Sequence, residues 1–148
     1  MFAKTYDATT LGIDGPMIGV EVDVSPGLPG FVLVGLPDTS VKESKERVRT
    51  AIRNPCIQLR QERVTVNLAS ADVRKDSSGL DLPIAVGLLA SYGMVPETAA
   101  QSALFSAELS LDGNCRPISG ILPMAITARE RGLTKFYVAP SIAVENFI

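Results

Sequence analysis

The sequence predicts an α+β fold, and three observations carry it. Residues 18–24 and 63–68 alternate apolar and polar side chains with the period of a half-buried strand. Ser40 to Asn54 and Asp81 to Tyr92 are longer segments of helical character, each closed by a residue type that stops helices. The order along the chain is strands first, then strands interleaved with helices.

Taken in order, Ala3 to Leu11 is a weaker strand, followed by turn chemistry at Gly12-Ile13-Asp14-Gly15-Pro16. Ile18, Val20, Val22 and Val24 then share one face of a second strand, with Gly19, Glu21 and Asp23 on a wetter face, so the two strands form a hairpin. After Ser25-Pro26-Gly27-Leu28-Pro29-Gly30, Phe31 to Val34 is expected as a third, more buried strand. The first helix runs from about Ser40 to Asn54. Ser40 and Glu43 fit a capping box, with Asp38 as the competing cap. Its inner face is Val41, Ser44, Val48, Ala51 and Ile52, and it stops at Asn54 because Pro55 disfavours helical geometry in the residue before it. Val64, Val66 and Leu68 oppose Thr65 and Asn67 in the next strand.

A polar loop, Ala69 to Gly79, feeds the apolar helix from about Asp81, which tolerates Pro83 in its first turn and ends at Gly93. Leu104 to Leu111, a turn at Asp112-Gly113-Asn114, and Cys115 to Ile118 make a second sheet segment. Ile121 to Arg131 is the third helix, closed by Gly132, and Phe136 to Ala139 the last strand.

At 148 residues, 46% apolar and 20% charged, the chain is long enough and greasy enough for one domain with a real core. A net charge of −2 does not announce a nucleic-acid binder, so any basic surface must be local. Cys56 and Cys115 lack CxxC spacing, and the chain has no histidine, which removes the commonest metal ligand and general base. Two buried or idle thiols in a reduced, cytoplasmic chain are expected. No apolar run approaches the roughly 20 residues that span a bilayer, and the start lacks a signal peptide's apolar region. No membrane role, metal or cofactor is therefore expected for this chain.

The most informative stretch joins strand to buried helix through a polar loop carrying Arg74, Lys75, Ser77, Ser78 and Gly79. Amides at a helix start can hold an anion, and a serine there can be an activated nucleophile. The plainer reading is that Ser77 and Ser78 are capping or turn residues. GxxxxGK[ST] occurs nowhere, so the P-loop manner of holding ATP is excluded.

Asn67-Leu68-Ala69, followed by Lys75-Asp76-Ser77-Ser78-Gly79-Leu80-Asp81-Leu82-Pro83-Ile84-Ala85, closely resembles the N-terminal domain of magnesium-chelatase-like AAA+ ATPases of the ComM type. So do Val34-Gly35-Leu36-Pro37-Asp38, Val41-Lys42-Glu43-Ser44 and Arg116-Pro117-Ile118-Ser119-Gly120-Ile121-Leu122-Pro123, in the same order along nearly the whole chain. The resemblance implies a Lon-protease-like fold, a curved sheet with helices mainly on one side. It also implies an ATPase module downstream of Ile148, with residues 1–148 as a single N-terminal domain of a longer protein. ATP and magnesium are then expected for the full-length protein, as are homo-hexamer formation and a role in DNA branch migration during natural transformation.

The Lon likeness raises a serine–lysine peptidase as an alternative. That chemistry needs an amine beside the serine to take its proton. The turn that resembles the lysine-bearing one reads Ser119-Gly120-Ile121-Leu122, so Leu122 stands where the base would be, and the glycine–proline–serine lead-in is missing. No catalytic residue is expected; Ser77, Ser78 and Leu122 are degenerate positions.

Charge placement supplies the last candidate. Nine of the 14 basic residues lie between Lys42 and Lys75: Lys42, Lys45, Arg47, Arg49, Arg53, Arg60, Arg63, Arg74 and Lys75. Only Glu43, Glu46, Glu62 and Asp72 oppose them there. On a helix Lys42, Lys45, Arg49 and Arg53 fall in one stripe beside the apolar face, and with Arg74 and Lys75 they are the DNA-binding candidates. The competing readings are a solvated stripe, stems covering the core edge, or pairing with a neighbouring subunit. No aromatic residue interleaves with them, which weakens base stacking as a contact mode. The runner-up function is recruitment of a protein or metal-insertion partner without DNA contact.

Overall fold

A computed structural model describes residues 1–8, 17–35, 37–54, 62–69 and 78–140. The expected turn at Gly12 to Pro16 lies outside the described residues, but the hairpin it would join is present. β1 (Phe2–Ala8) pairs antiparallel with β2 (Met17–Ser25), Phe2 opposite Asp23 and Ala8 opposite Met17. β2 also pairs antiparallel with β4 (Arg63–Ala69), which pairs parallel with β3 (Gly30–Val34). The sheet order is β1-β2-β4-β3. A parallel neighbour demands a crossover connection, and α1 (Thr39–Lys42) and α2 (Ser44–Arg53) supply it.

Alternation decides which side is dry. Val20, Val22, Val24, Val64, Val66 and Leu68 all point into the core, where they meet Val41, Val48, Ala51 and Ile52. Leu80, Ile84 and Leu88 close that core from a short 3₁₀ turn, Ser78–Leu80, and α3 (Asp81–Ser91). α3 lies close on the sheet because Gly87 has no side chain. A Cβ there would sit 2.7 Å from Cγ2 of Val22. Further along come α4 (Glu97–Gln101), β5 (Ala103–Ser106), β6 (Glu108–Leu109), β7 (Cys115–Arg116), α5 (Ile121–Glu130) and β8 (Lys135–Val138). β5 pairs parallel with β8, and β6 antiparallel with β7. A second apolar cluster joins Ala8, Leu104, Met124 and Ala128, with Tyr6, Met17 and Phe136 packed against it. The fold is α+β with a mixed sheet, as the alternation and element order predict.

Five details differ from the sequence reading. Among the described residues β3 is an edge strand with a neighbour on one side only, and Val34 is 42% exposed, so it is not the more buried strand expected. The first helix is interrupted at Glu43, whose carbonyl accepts from both the Glu46 and the Arg47 amides, a 3₁₀-type bond beside the α-helical one. Asp38, not Ser40, caps α1: its Oδ1 accepts the Val41 amide at 3.0 Å, and the Ser40 hydroxyl donates to that same oxygen at 2.9 Å. The strand expected from Leu104 to Leu111 breaks at Ala107, whose amide donates to Gly79 and whose carbonyl accepts from Leu82, tying it to the start of α3. α4 has no counterpart in the sequence reading; five residues are too few to show a period.

Candidate functional site

The six described basic residues of the Lys42–Lys75 window do not share one surface. Once Val41, Ser44, Val48, Ala51 and Ile52 are buried, the helical period turns Lys42, Arg49 and Arg53 out to solvent and leaves Lys45 half-buried at the edge of the core. None of these four makes an ion pair with any described residue. Arg63 opens β4, on the sheet and away from the helix. Arg60, Arg74 and Lys75 lie outside the described residues.

Arg47 behaves differently from its neighbours. Its Nε donates to Oδ2 of Asp81 at 2.6 Å, and its Nη2 donates to Oδ1 at 3.2 Å, a two-pronged pairing. The same guanidinium reaches the Ser40 carbonyl at 2.8 Å and the Glu43 carboxylate at 3.3 Å. Asp81 is the first residue of α3, its side chain is 0% exposed, and its Oδ2 also accepts the Leu109 amide at 3.0 Å. One buried carboxylate therefore joins α2, α3 and β6. A negative charge in the first turn also suits the amide end of α3. Burial raises the Asp81 carboxyl above the ordinary carboxylate range, while the bonds from Arg47, Ser44 and the Leu109 amide oppose that rise. The bond to Asp81 in turn raises the Arg47 guanidinium. The sequence marks Arg47 only as one of the basic residues of the window, outside the stripe, and gives Asp81 no role beyond opening the helix. The pairing spans 34 residues, and no local signal marks it.

Ser78 opens the 3₁₀ turn, and its hydroxyl donates to Oε2 of Glu108 at 3.2 Å. It does not cap α3, which begins after Leu80 with no side-chain cap. The Leu82 amide, one of the helix-start donors that would hold an anion, is engaged by the Ala107 carbonyl at 3.1 Å. Ser77 lies outside the described residues. Leu122 is the second residue of α5 and 71% exposed, a hydrocarbon side chain that can take no proton. The partner that the serine finds is a carboxylate.

Among the described residues no group of three or more His, Cys, Asp or Glu side chains is arranged to hold a metal. Cys115 is a free, exposed thiol rather than a buried one, and partial desolvation raises its pKa. Cys56 lies outside the described residues. Among the described residues no helix is long and apolar enough to cross a membrane.

Comparison with known proteins adds to this geometry. Residues 20–142 match the family described as subunit ChlI of Mg-chelatase. The competence protein ComM of Haemophilus influenzae is 39% identical over 143 residues, covering 97% of this chain and 28% of that protein. YifB of Escherichia coli K12 is 41% identical over 127 residues, covering 86% of this chain and 25% of that protein. A Lon protease of Bacillus thuringiensis is 24% identical over 128 residues, 82% of this chain and 16% of that protein, consistent with the α+β architecture. The chain spans about a quarter of the length of the ComM and YifB relatives it matches.

Proposed function

The chain belongs to the magnesium-chelatase-like family that includes ComM and YifB, and on that premise we propose that it is a non-catalytic accessory domain of an AAA+ ATPase that remodels DNA. In this reading the full-length protein supplies a Walker-type module, takes ATP and magnesium, assembles as a homo-hexamer in the cytoplasm, and drives branch migration during transformation or recombination. This domain shapes the ring and contacts DNA. The observation that carries the DNA contact is the outward face of α1 and α2, where Lys42, Lys45, Arg49 and Arg53 have no acidic partner among the described residues while Arg47 is turned inward. Cations held outward without partners are what phosphate neutralisation needs, and with a net charge of −2 on the whole chain such contact must come from a local basic surface.

Salt-dependent binding of the chain to duplex or branched DNA tests this reading. Binding at low salt that weakens steeply as salt rises is expected, and no detectable affinity at low salt removes DNA contact by this domain.

A second reading, recruitment of a protein partner without DNA contact, is favoured by a different observation. Met1, Phe2 and Leu28 are exposed apolar residues toward one end of the sheet, Leu28 at 85%, with Phe2 opposite Asp23 and Leu28 in the turn after β2. Loss of a partner, with DNA binding unchanged, on changing Phe2 and Leu28 to serine would favour it. Peptidase chemistry has the least support, because Ser78 faces the Glu108 carboxylate and Leu122 offers no base. Labelling of Ser77 or Ser78 by an active-site serine probe would restore it.

A further inference from the structure

The face of α2 is narrow, and its borders say what kind of contact it makes. At about 100° per residue, Lys45, Arg49 and Arg53 at positions i, i+4 and i+8 span an arc of about 80°. Ile52, buried in the core, lies about 20° beyond the Lys45 edge of that arc, and exposed Glu46 lies about 20° beyond the Arg53 edge. The cations are therefore fenced by hydrocarbon on one side and by a carboxylate on the other. Along the axis the three cover about 12 Å at 1.5 Å per residue. One strand of a duplex presents a phosphate every 3.4 Å of axis, so the row matches about three to four consecutive phosphates. Lys42, the last residue of α1, extends it by a turn.

We propose that Lys45, Arg49 and Arg53, with Lys42, hold a single row of phosphates on one strand of a nucleic-acid duplex, and that Glu46 keeps the contact to that one row. The inference rests on the DNA-contact reading above and goes further, naming the group bound and the residue that limits it. A helix seated in a groove would bring its flanks against phosphates on both sides, and Glu46 would repel one of them. α1 and α2 carry no aromatic residue on which unpaired bases would stack, so the duplex backbone is the ligand rather than a single strand. The Arg47–Asp81 pairing holds α2 in place while its cations face outward.

The test measures binding of the chain to two duplexes of unrelated sequence, and to one of their single strands, across a salt series. Three to four neutralised phosphates predict a log–log salt slope between about −2.7 and −3.6 on either duplex. Glu46→Lys is expected to tighten both duplexes about eightfold at 0.1 M salt and steepen the slope by about 0.9; Lys45→Ala, Arg49→Ala and Arg53→Ala should each do the reverse. These positions face solvent or the helix edge, and an unchanged melting temperature shows that the fold is retained. Slopes that do not move in any variant of a chain that does bind DNA overturn this inference alone and put the contact elsewhere. A strong preference for one duplex sequence, or tighter binding of the single strand, also overturns it. Failure of the wild type and of Glu46→Lys to bind any DNA at low salt overturns the DNA-contact reading itself.

Discussion

Asp7 is 1% exposed on the inner face of β1, where the alternation that buries Ala3 and Thr5 also buries a carboxyl group. The Ala8 amide donates to its Oδ1 at 2.7 Å and the Ser106 hydroxyl to its Oδ2 at 3.3 Å, and no described cation pairs with it. Burial therefore holds its pKa well above the ordinary carboxylate range, against the lowering by those two donors. A raised folded pKa means that this group's contribution to stability is complete below the unfolded pKa and is lost as pH rises through the folded one. Asp7→Asn keeps the shape and removes the titration. At pH 7.5 it should stabilise the chain by on the order of 1–3 kcal/mol, the cost of a poorly compensated buried polar group. The gain should shrink toward acid pH, as urea unfolding at several pH values would show. Arg47→Met is expected to do the opposite. It leaves the buried Asp81 carboxylate without its cation and should cost about 3–5 kcal/mol. The double change Arg47→Met with Asp81→Leu should recover part of that loss, because removing both charges removes the orphan.

Elements were legible where their signal is local. β2 and β4 follow directly from alternation, because a period of two on a sheet with one dry face forces Val20, Val22, Val24, Val64, Val66 and Leu68 inward. The inner face of α2 follows in the same way from a period near 3.6. The cap of α1 did not, since Asp38 and Ser40 are both good caps and only the path of the chain selects between them. Asp38→Ala should cost about 0.5–2 kcal/mol by losing the bond to the Val41 amide. Ser40→Ala should cost about 0.5 kcal/mol or less, and equal losses in thermal melts of the two variants would contradict the assignment. The broken strand at Ala107 is a case of long-range override, because its hydrogen bonds go to Gly79 and Leu82 rather than onward along the strand.

At the scale of the whole molecule, the apolar clusters around Val22 and Leu104 and the Arg47–Asp81 ion pair hold together elements that the chain presents far apart. The absence of a P-loop sequence gives a prediction at this scale. A nucleotide at a hundred times its Kd would add about 2.7 kcal/mol of stability. Magnesium-ATP should leave the melting temperature of this chain unchanged, and a clear upward shift would show a nucleotide site that the sequence does not carry. The residue pattern by itself determined the α+β class, the dry face of the central strands and of the crossover helix, and the family, because periodicity and ordered motifs are written in neighbouring residues. Only the tertiary structure decided that Arg47 turns inward to Asp81, that Ser78 meets Glu108, and that Asp7 is buried. Each of those outcomes is fixed by where distant segments are packed, and charge or hydroxyl chemistry along a sequence says nothing about which group will lie opposite.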